Sequence, residues 1–199
     1  MIYDDAIRLQ KEIAKKVVTQ DDFGEINRIC GVDVAYSGDA AYCSVVVMDT
    51  NSQLVESIDA ETVATHSYVP GLFMLREAEP IFHTLGMLKH DYELLLVDGH
   101  GLLHPRKCGL ACYVGVTLDK PAIGVAKSRL CGTVRPDGFV ELGGEILGYA
   151  ISKKMYVSVG HKISLKTAIA IVKELGAKPL RLADINSKAQ KRRRKGLRP

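Results

Sequence analysis

The chain has 199 residues, of which 47% are hydrophobic and 25% are charged, a composition typical of one soluble globular domain with its own core. No apolar run approaches the length of a membrane span, and the N-terminus, MIYDDAIRLQ, is acidic and unlike a signal peptide. The five cysteines lack CxxC spacing and give no disulfide framework. We therefore expect a cytoplasmic protein without a membrane partner.

The net charge of +4 conceals an asymmetry along the chain. Seven of the 27 Lys and Arg residues follow Asp184 and no acidic residue does, so residues 1–184 carry 20 basic against 23 acidic groups. We predict one domain over residues 1–187 and a basic, flexible tail over residues 188–199. Two interpretations of this tail remain open, a solvated end and a segment that contacts phosphates.

Hydrophobic periodicity predicts the order of the elements. The predicted strands are 28–36, 42–49, 53–63, 93–98 and 121–126, and the predicted helices are 4–18, 71–89, 107–118 and one from about Ser164. Three antiparallel strands followed by helix, strand, helix and strand is the ribonuclease-H-like order. We therefore predict an α/β domain in which helices flank a central mixed five-stranded sheet.

Two acidic residues interrupt strands that are otherwise apolar. Asp33 lies within RICGVDVAY, and Asp98 ends ELLLVD directly before a glycine-rich loop that carries His100 and His104. An ionised carboxylate is costly to bury unless a cation or hydrogen-bond donors meet it. If the first and fourth strands are neighbours, both carboxylates lie together, which predicts a site for a hard cation such as Mg²⁺.

Five sequence blocks resemble those of the endonuclease V family, the deoxyinosine 3′ endonucleases. The blocks are GVDVAY at 31–36, SYVPGLFMLRE at 67–77, LLLVDGHGLLHPRKCGLACYVGV at 94–116, IGVAKSRLCG at 123–132 and PLRLAD at 179–184. Together they span nearly the whole chain. The DGHGxxHPRxxG pattern with a downstream GVAKS is far more specific than a lone glycine motif.

The resemblance implies a nuclease that depends on Mg²⁺ or Mn²⁺ and recognises hypoxanthine bases. Such an enzyme hydrolyses the second phosphodiester bond on the 3′ side, leaves 5′-phosphate ends and initiates DNA repair. Its partner would be inosine-containing DNA, with RNA possible as well, and the protein would act as a monomer. An endoribonuclease that acts mainly on inosine in RNA is the alternative, because no motif reports a contact to the 2′-OH.

The resemblance also assigns roles to individual residues. The implied catalytic residues are Asp33, Glu77, Asp98, His104, Lys127 and Asp184, and the four acids among them would bind the metal. Without the resemblance, Glu77 would be a solvated charge on a helix, and Asp184 a charge partner of the basic residues after it. Lys127 would be a strand-end lysine in solvent, and His161 a turn residue before a helix.

Base recognition is assigned to a loop and to several glycines. Tyr68, Val69, Pro70 and Gly71 match the wedge motif of the family, usually PYIPG, which holds the gap left by an extruded base. Here Ser67 and Val69 replace the usual proline and isoleucine, and the aromatic residue is kept. The implied pocket residues are Gly71, Phe73, Gly99, Gly109, Leu110 and Leu130.

Two other functions remain open from the residues alone. His100, His104, Cys108 and Cys112 follow one another at spacings of four and would suit zinc, although Pro105 prevents one continuous helix from aligning them. The basic tail would also suit a nucleic-acid-binding protein without catalysis, whereas a cluster of acids without metal would repel phosphates. Metal-dependent cleavage distinguishes these possibilities.

Overall fold

The protein forms a nine-stranded mixed β-sheet with helices on both faces. The structure is a computed structural model that describes residues 2–194 and 196. The strands are β1 (Arg28–Ser37), β2 (Ala40–Asp49), β3 (Leu54–Val63), β4 (Leu94–Asp98), β5 (Ala122–Ala126), β6 (Thr133–Val134), β7 (Phe139–Leu142), β8 (Glu145–Ser152) and β9 (Met155–His161). The helices are α1 (Ile2–Lys16), α2 (Met74–Leu85), α3 (Leu110–Leu118), α4 (Leu165–Leu175) and α5 (Lys178–Arg194). The strand order is β3-β2-β1-β4-β5-β9-β8-β7-β6.

Three parallel strands occupy the centre of the sheet. β4 pairs in parallel with β1 on one side and with β5 on the other, whereas β2 and β9 join them antiparallel. Leu95 and Val97 pack with α2 and α3, and Leu94 and Leu96 pack with α4 and α5. Because helices cover both faces, every side chain of β4 before its last residue is apolar and buried.

Gly31 allows α5 to lie directly on β1. A Cβ at this position would come within 2.3 Å of the backbone nitrogen of Leu180, which no larger residue could tolerate without moving the helix. Farther along α5, Ala183 packs against Val46 and Met48 of β2. The first two turns of α5 are therefore held against β1 and β2.

The prediction of five strands is wrong, because the segment from Thr133 to His161 supplies β6, β7, β8 and β9. β9 pairs with β5, and the other three continue the sheet to its edge. The sequence signal of β6 and β8 is weak, since β6 has only two residues, both exposed, and β8 mixes buried and exposed positions without alternation. β9 was missed although five of its seven residues are buried. The mixed α/β architecture itself is confirmed.

The ends of several helices differ from the prediction. α2 begins at Met74 and α3 at Leu110, so residues 64–73 and 99–109 form loops beside the central strands. α5 runs through the predicted domain boundary, and residues 188–194 of the predicted tail are helical. Residues 195 and 197–199 lie outside the described part of the chain. None of the described helices combines the length and the apolar character that a membrane crossing requires.

Candidate active site

Asp33 and Asp98 are neighbours on adjacent parallel strands. The register of β1 and β4 pairs Val32 with Val97, so the next residue on each strand is the aspartate. The predicted adjacency of the first and fourth strands is therefore confirmed. The side chains of Asp33 and Asp98 are only 6% and 18% exposed, respectively, so both carboxylates need a compensating charge.

Asp184 on α5 completes a cluster of three carboxylates. One oxygen from each of Asp33, Asp98 and Asp184 lies within 4.8 Å of the other two. Lys127, directly after β5, places its ammonium group among them. Its Nζ donates to Asp98 Oδ2 and, at 2.6 Å, to Asp184 Oδ1, and it lies 3.7 Å from Asp33 Oδ1. Lys127 is thus held by the three acids although its side chain is half exposed.

The cluster carries negative charge that its surroundings compensate incompletely. Burial, followed by the hydrogen bond and the charge of Asp33, raises the pKa of Asp98 to about 7. Glu77 on α2 is 5% exposed, and burial together with the charges of Asp33 and Asp98 raises its pKa well above the usual range. Glu77 is therefore a buried neighbour of the cluster and not a solvated helix charge. It does not belong to the group of three aspartates whose oxygens lie within 4.8 Å of one another.

Asp184 differs electrostatically from the other acids. Burial alone would raise its pKa, but hydrogen bonds from Lys127 and Lys188 lower it. The Nζ of Lys188, one turn farther along α5, lies 2.6 Å from Asp184 Oδ1. Asp184 is thus both a member of the acidic cluster and the charge partner of a basic helical residue.

The cluster suits a divalent cation. Carboxylate oxygens from separate elements are the ligands that Mg²⁺ and Mn²⁺ prefer, and the ammonium of Lys127 already lies among them as a positive charge. The raised pKa of Asp98 indicates that a further positive charge beside it would be favourable. Asp33, Asp98 and Asp184 are therefore the residues that could hold the ion, with Glu77 next to them.

Ser187 supports the cluster and was not predicted from the sequence. Its fully buried hydroxyl donates to Asp33 Oδ2 and lies 3.2 Å from the Asp184 carbonyl oxygen. Asp33 Oδ1 then remains directed toward Lys127. The only sign of this contact in the sequence is the spacing of three between Asp184 and Ser187, which places both on one side of a helix.

A cavity of about 430 Å³ opens beside the acids. The predicted site residues that line it are Asp33, Tyr68, Gly71, Phe73, Glu77, Asp98, Gly99, His104, Gly109, Leu110, Lys127, Leu130 and Asp184. Val69 and Pro70 are not among its lining residues, because Val69 packs against the core and Pro70 is exposed. The lining also includes the basic residues Arg129, Lys188 and Lys191, to which no individual role was assigned from the sequence.

Tyr68 lies at the cavity on the loop between β3 and α2. Its side chain is 58% exposed, and its ring meets Phe73 edge to face with 5.4 Å between the centroids. The carbonyl of His66, near the start of this loop, accepts a hydrogen bond from Arg76 at 2.8 Å. An exposed aromatic ring on a tethered loop is well suited to stack on a nucleobase.

His104 uses both of its ring nitrogens in contacts with the protein. Nε2 donates to the Gly71 carbonyl at 3.0 Å, and Nδ1 accepts from the backbone N–H of Arg106 at 3.2 Å. Burial and then the charge of Arg106 lower the pKa of His104 to about 4. The ring is therefore neutral with its proton on Nε2, and neither nitrogen is free for proton transfer while these bonds persist.

The zinc alternative has no geometric support. Cys108 and Cys112 are fully buried in the core beside α1, and His100 bonds a backbone carbonyl instead of the cysteines. Within the described part of the chain, the three aspartates form the single group of three or more His, Cys, Asp or Glu side chains close enough to share an ion. His161 ends β9, is buried, and does not line the cavity.

An α/β fold with buried carboxylates, a lysine among them and basic residues along the same cavity defines an enzyme of the class that hydrolyses phosphodiesters. The family model for endonuclease V matches residues 11–185. An endonuclease V from Thermofilum pendens is 42% identical over 193 residues, which cover 90% of this chain and 82% of the relative. The chain belongs to the endonuclease V family and is a nuclease.

Solved structures of the family have the same fold. Endonuclease V from Ciona intestinalis, in complex with a 24mer DNA containing an inosine followed by a ribo-adenosine, superposes with a TM-score of 0.85 at 26% identity, covering 96% of this chain and 98% of that one. Endonuclease V from Streptomyces avermitilis gives a TM-score of 0.88 at 29% identity, with 96% and 94% covered. The family also implies a divalent metal ion, which fits the three aspartates.

Proposed function

We propose that this nuclease recognises deoxyinosine in DNA and hydrolyses the second phosphodiester bond on its 3′ side, which would initiate repair. The observation that carries the proposal is that one cavity is lined by both the acidic cluster and the loop with Tyr68. Cleavage chemistry and base recognition would then take place side by side. The inosine-containing DNA bound by the relative from Ciona intestinalis supports this choice of substrate.

The proposed cofactor is Mg²⁺, with Mn²⁺ as a substitute. Asp33, Asp98 and Asp184 would hold the ion, and the buried Glu77 would take part beside them. A bound divalent cation would activate the attacking water and stabilise the leaving oxygen. Ser187 would keep the Asp33 carboxylate in place through its hydrogen bond.

Lys127 would act on the phosphate. Its ammonium is held at the cluster by Asp98 and Asp184 and is half exposed toward the cavity, so it can neutralise negative charge that develops on the phosphate oxygens. The pKa of Lys127 is raised, since the neighbouring carboxylates outweigh the effect of burial, and the group stays charged throughout the neutral pH range. His104 would contribute by its position, since both ring nitrogens are engaged.

The proposed base site is formed by other residues of the same cavity. Tyr68 would hold the gap in the strand, with Val69 and Pro70 completing the wedge loop behind it. The flipped base would lie among backbone groups and apolar side chains of the residues proposed for the pocket, which are Gly71, Phe73, Gly99, Gly109, Leu110 and Leu130. Glycine at position 71 has a positive φ of 77°, a conformation that disfavours larger residues there.

The wider proposal concerns the whole chain. We assign the sheet and its flanking helices to the ribonuclease-H-like class, with β1, β2, β3, β4 and β5 as the five strands of that class and β6 to β9 as an extension. Residues 1–187 would form the catalytic domain of a cytoplasmic monomer, and the basic residues from 188 onward would approach the nucleic acid backbone. Lys188 and Lys191 line the cavity, which supports that role.

The decisive test uses four matched single strands, DNA and RNA, each with and without one inosine. With Mg²⁺, the protein should cut the inosine DNA at the second bond on the 3′ side and leave the inosine-free DNA intact. Omission of the metal or addition of EDTA should stop cleavage. If the protein cuts inosine RNA but not inosine DNA, its substrate is RNA. If it cuts strands whether or not they contain inosine, the proposal is refuted.

A further inference from the structure

A buried glutamine on α1 contacts the edge of the proposed base site. Gln10 is 1% exposed and lies on the inner face of α1 between Ala6 and Ile13, which are both buried and apolar. It also lines the cavity. The family match begins after it, at residue 11. A fully buried amide on an apolar helix face must form hydrogen bonds to be tolerated there.

Every hydrogen-bonding group of the Gln10 side chain contacts the loop of residues 64–73 or the loop of residues 99–109. Its Nε2 donates to the carbonyl of Gly71 at 2.9 Å and to the carbonyl of Cys108 at 2.9 Å. Its Oε1 accepts from the Nε of Arg106 at 2.6 Å. The reverse orientation of the amide would set its oxygen against two carbonyls and its NH₂ group against a guanidinium, so the donor pattern defines the orientation.

The Gly71 carbonyl is the point on which these contacts converge. It accepts hydrogen bonds from Gln10 Nε2, from Arg106 Nη2 at 2.6 Å and from His104 Nε2 at 3.0 Å. Three donors on one backbone oxygen exceed its two lone pairs, so the position of this carbonyl is over-determined. Gly71 follows Tyr68 by three residues, and the intervening loop carries no regular secondary structure.

We infer that Gln10 is a positioning residue for base recognition, which acts by fixing the Gly71 carbonyl and thereby the loop that carries Tyr68. The inference rests on the proposed function and adds a residue of α1 to it. Removing a donor from the Gly71 carbonyl loosens the end of the loop that follows Tyr68, and displacements of about 1 Å in such sites can cost on the order of 100-fold. Gln10 itself need not touch the nucleic acid.

The test measures the ratio of dissociation constants for adenine-containing and inosine-containing single strands of equal sequence, in EDTA so that no strand is cut. Gln10→Met keeps the length of the side chain and removes all three hydrogen bonds. It should lower this ratio by roughly tenfold or more. Ile13→Ala is the matched control, because it removes buried contacts of the same helix without touching the carbonyl and should lower the melting temperature while keeping the ratio.

A double-mutant cycle separates positioning from a general loss of structure. If Gln10 acts through the loop, Gln10→Met should have little further effect on the ratio in a Tyr68→Ala background. Equal effects in both backgrounds would overturn the inference. Arg106→Met removes a second donor to the same carbonyl without altering α1, and it should reproduce the loss of discrimination even if Gln10→Met fails to fold. An unchanged ratio in Arg106→Met would overturn the inference in that case.

The same data separate this inference from the proposed function. A parent protein without preference for inosine would refute the proposed function and the inference with it. A parent that prefers inosine, together with a folded Gln10→Met variant of unchanged ratio, would refute the inference alone. If Ile13→Ala lowers the ratio of dissociation constants as much as Gln10→Met does, the inference is also refuted, because reduced stability would then explain both results.

Discussion

Two groups of residues at the cavity, called here its acidic end and its recognition end, are held in place by different parts of the structure. At the acidic end, which comprises Asp33, Asp98, Asp184 and Lys127, the pairing of β1 with β4 and the packing of α5 set the distances between side chains. At the recognition end, which comprises residues 66–73, side chains of remote elements hold backbone carbonyls of an irregular loop. Changes at the first end should therefore affect rate, and changes at the second should affect selectivity.

The largest expected effect is at the acidic end. Asp98→Asn should slow cleavage by at least about 10³-fold, because it removes a metal-binding carboxylate that acts in the transition state. Binding of inosine DNA in EDTA should stay close to that of the parent. Asp137→Asn, at an exposed aspartate in the β6–β7 turn, is the control and should cleave normally. Retained cleavage by Asp98→Asn would remove Asp98 from the proposed site.

The recognition end should show its own dependence on pH through His104. His104 has a pKa of about 4 in the folded protein, whereas a histidine in the unfolded chain has a pKa near 6.5. The unfolded state therefore binds more protons than the folded state between these two pH values. Stability should thus fall as the pH drops from about 6.5 to 4, by up to about 3 kcal/mol.

The measurement is urea unfolding across that pH range. His104→Gln removes the titration and should give a flatter profile than the parent, whereas substitution of the exposed His83 by Gln should leave the profile unchanged. Parallel profiles for the parent and His104→Gln would contradict the neutral, buried state of His104.

A smaller effect is expected at the tip of the recognition loop. Tyr68→Ala should weaken binding of inosine DNA by about 1–3 kcal/mol, the range for stacking of a base on an aromatic ring, and should reduce the preference over adenine. Tyr3→Ala serves as the control, because Tyr3 is similarly exposed but lies on α1. Fluorescence anisotropy with both strands measures the difference. An unchanged preference and affinity would show that Tyr68 is not the wedge.

The smallest effect should come from the basic residues of α5, which belong to neither end. If Lys191 contacts a phosphate, Lys191→Ala should weaken inosine-containing and inosine-free duplexes alike, because phosphate contacts carry no base information. It should also reduce the salt slope of log affinity by up to about 0.9. Lys178→Ala, about 20 Å away along the same helix, is the control. An unchanged slope would favour a solvated basic segment.

Several features of the site followed from the sequence, because local pattern is enough to define them. The position of an acid in each apolar strand predicted that Asp33 lies beside Asp98 if β1 and β4 are neighbours, and the structure pairs these two strands. The family resemblance likewise assigned 13 of the 22 residues that line the cavity. Of the missed strands, β6 has only two residues and β8 lacks a regular period, whereas β9 was missed although five of its seven residues are buried.

Only the tertiary structure decided which polar groups support these residues. The burial of Glu77, the hydrogen bond from Ser187 to Asp33 and the contact of Gln10 with Gly71 each depend on elements far apart in the chain. Periodicity reports which face of a helix is buried, but it does not report what that face meets. The close packing of α5 on Gly31 and of α1 beside the loop sets those partners, because hydrogen bonds require contact within about 3 Å that no local pattern encodes.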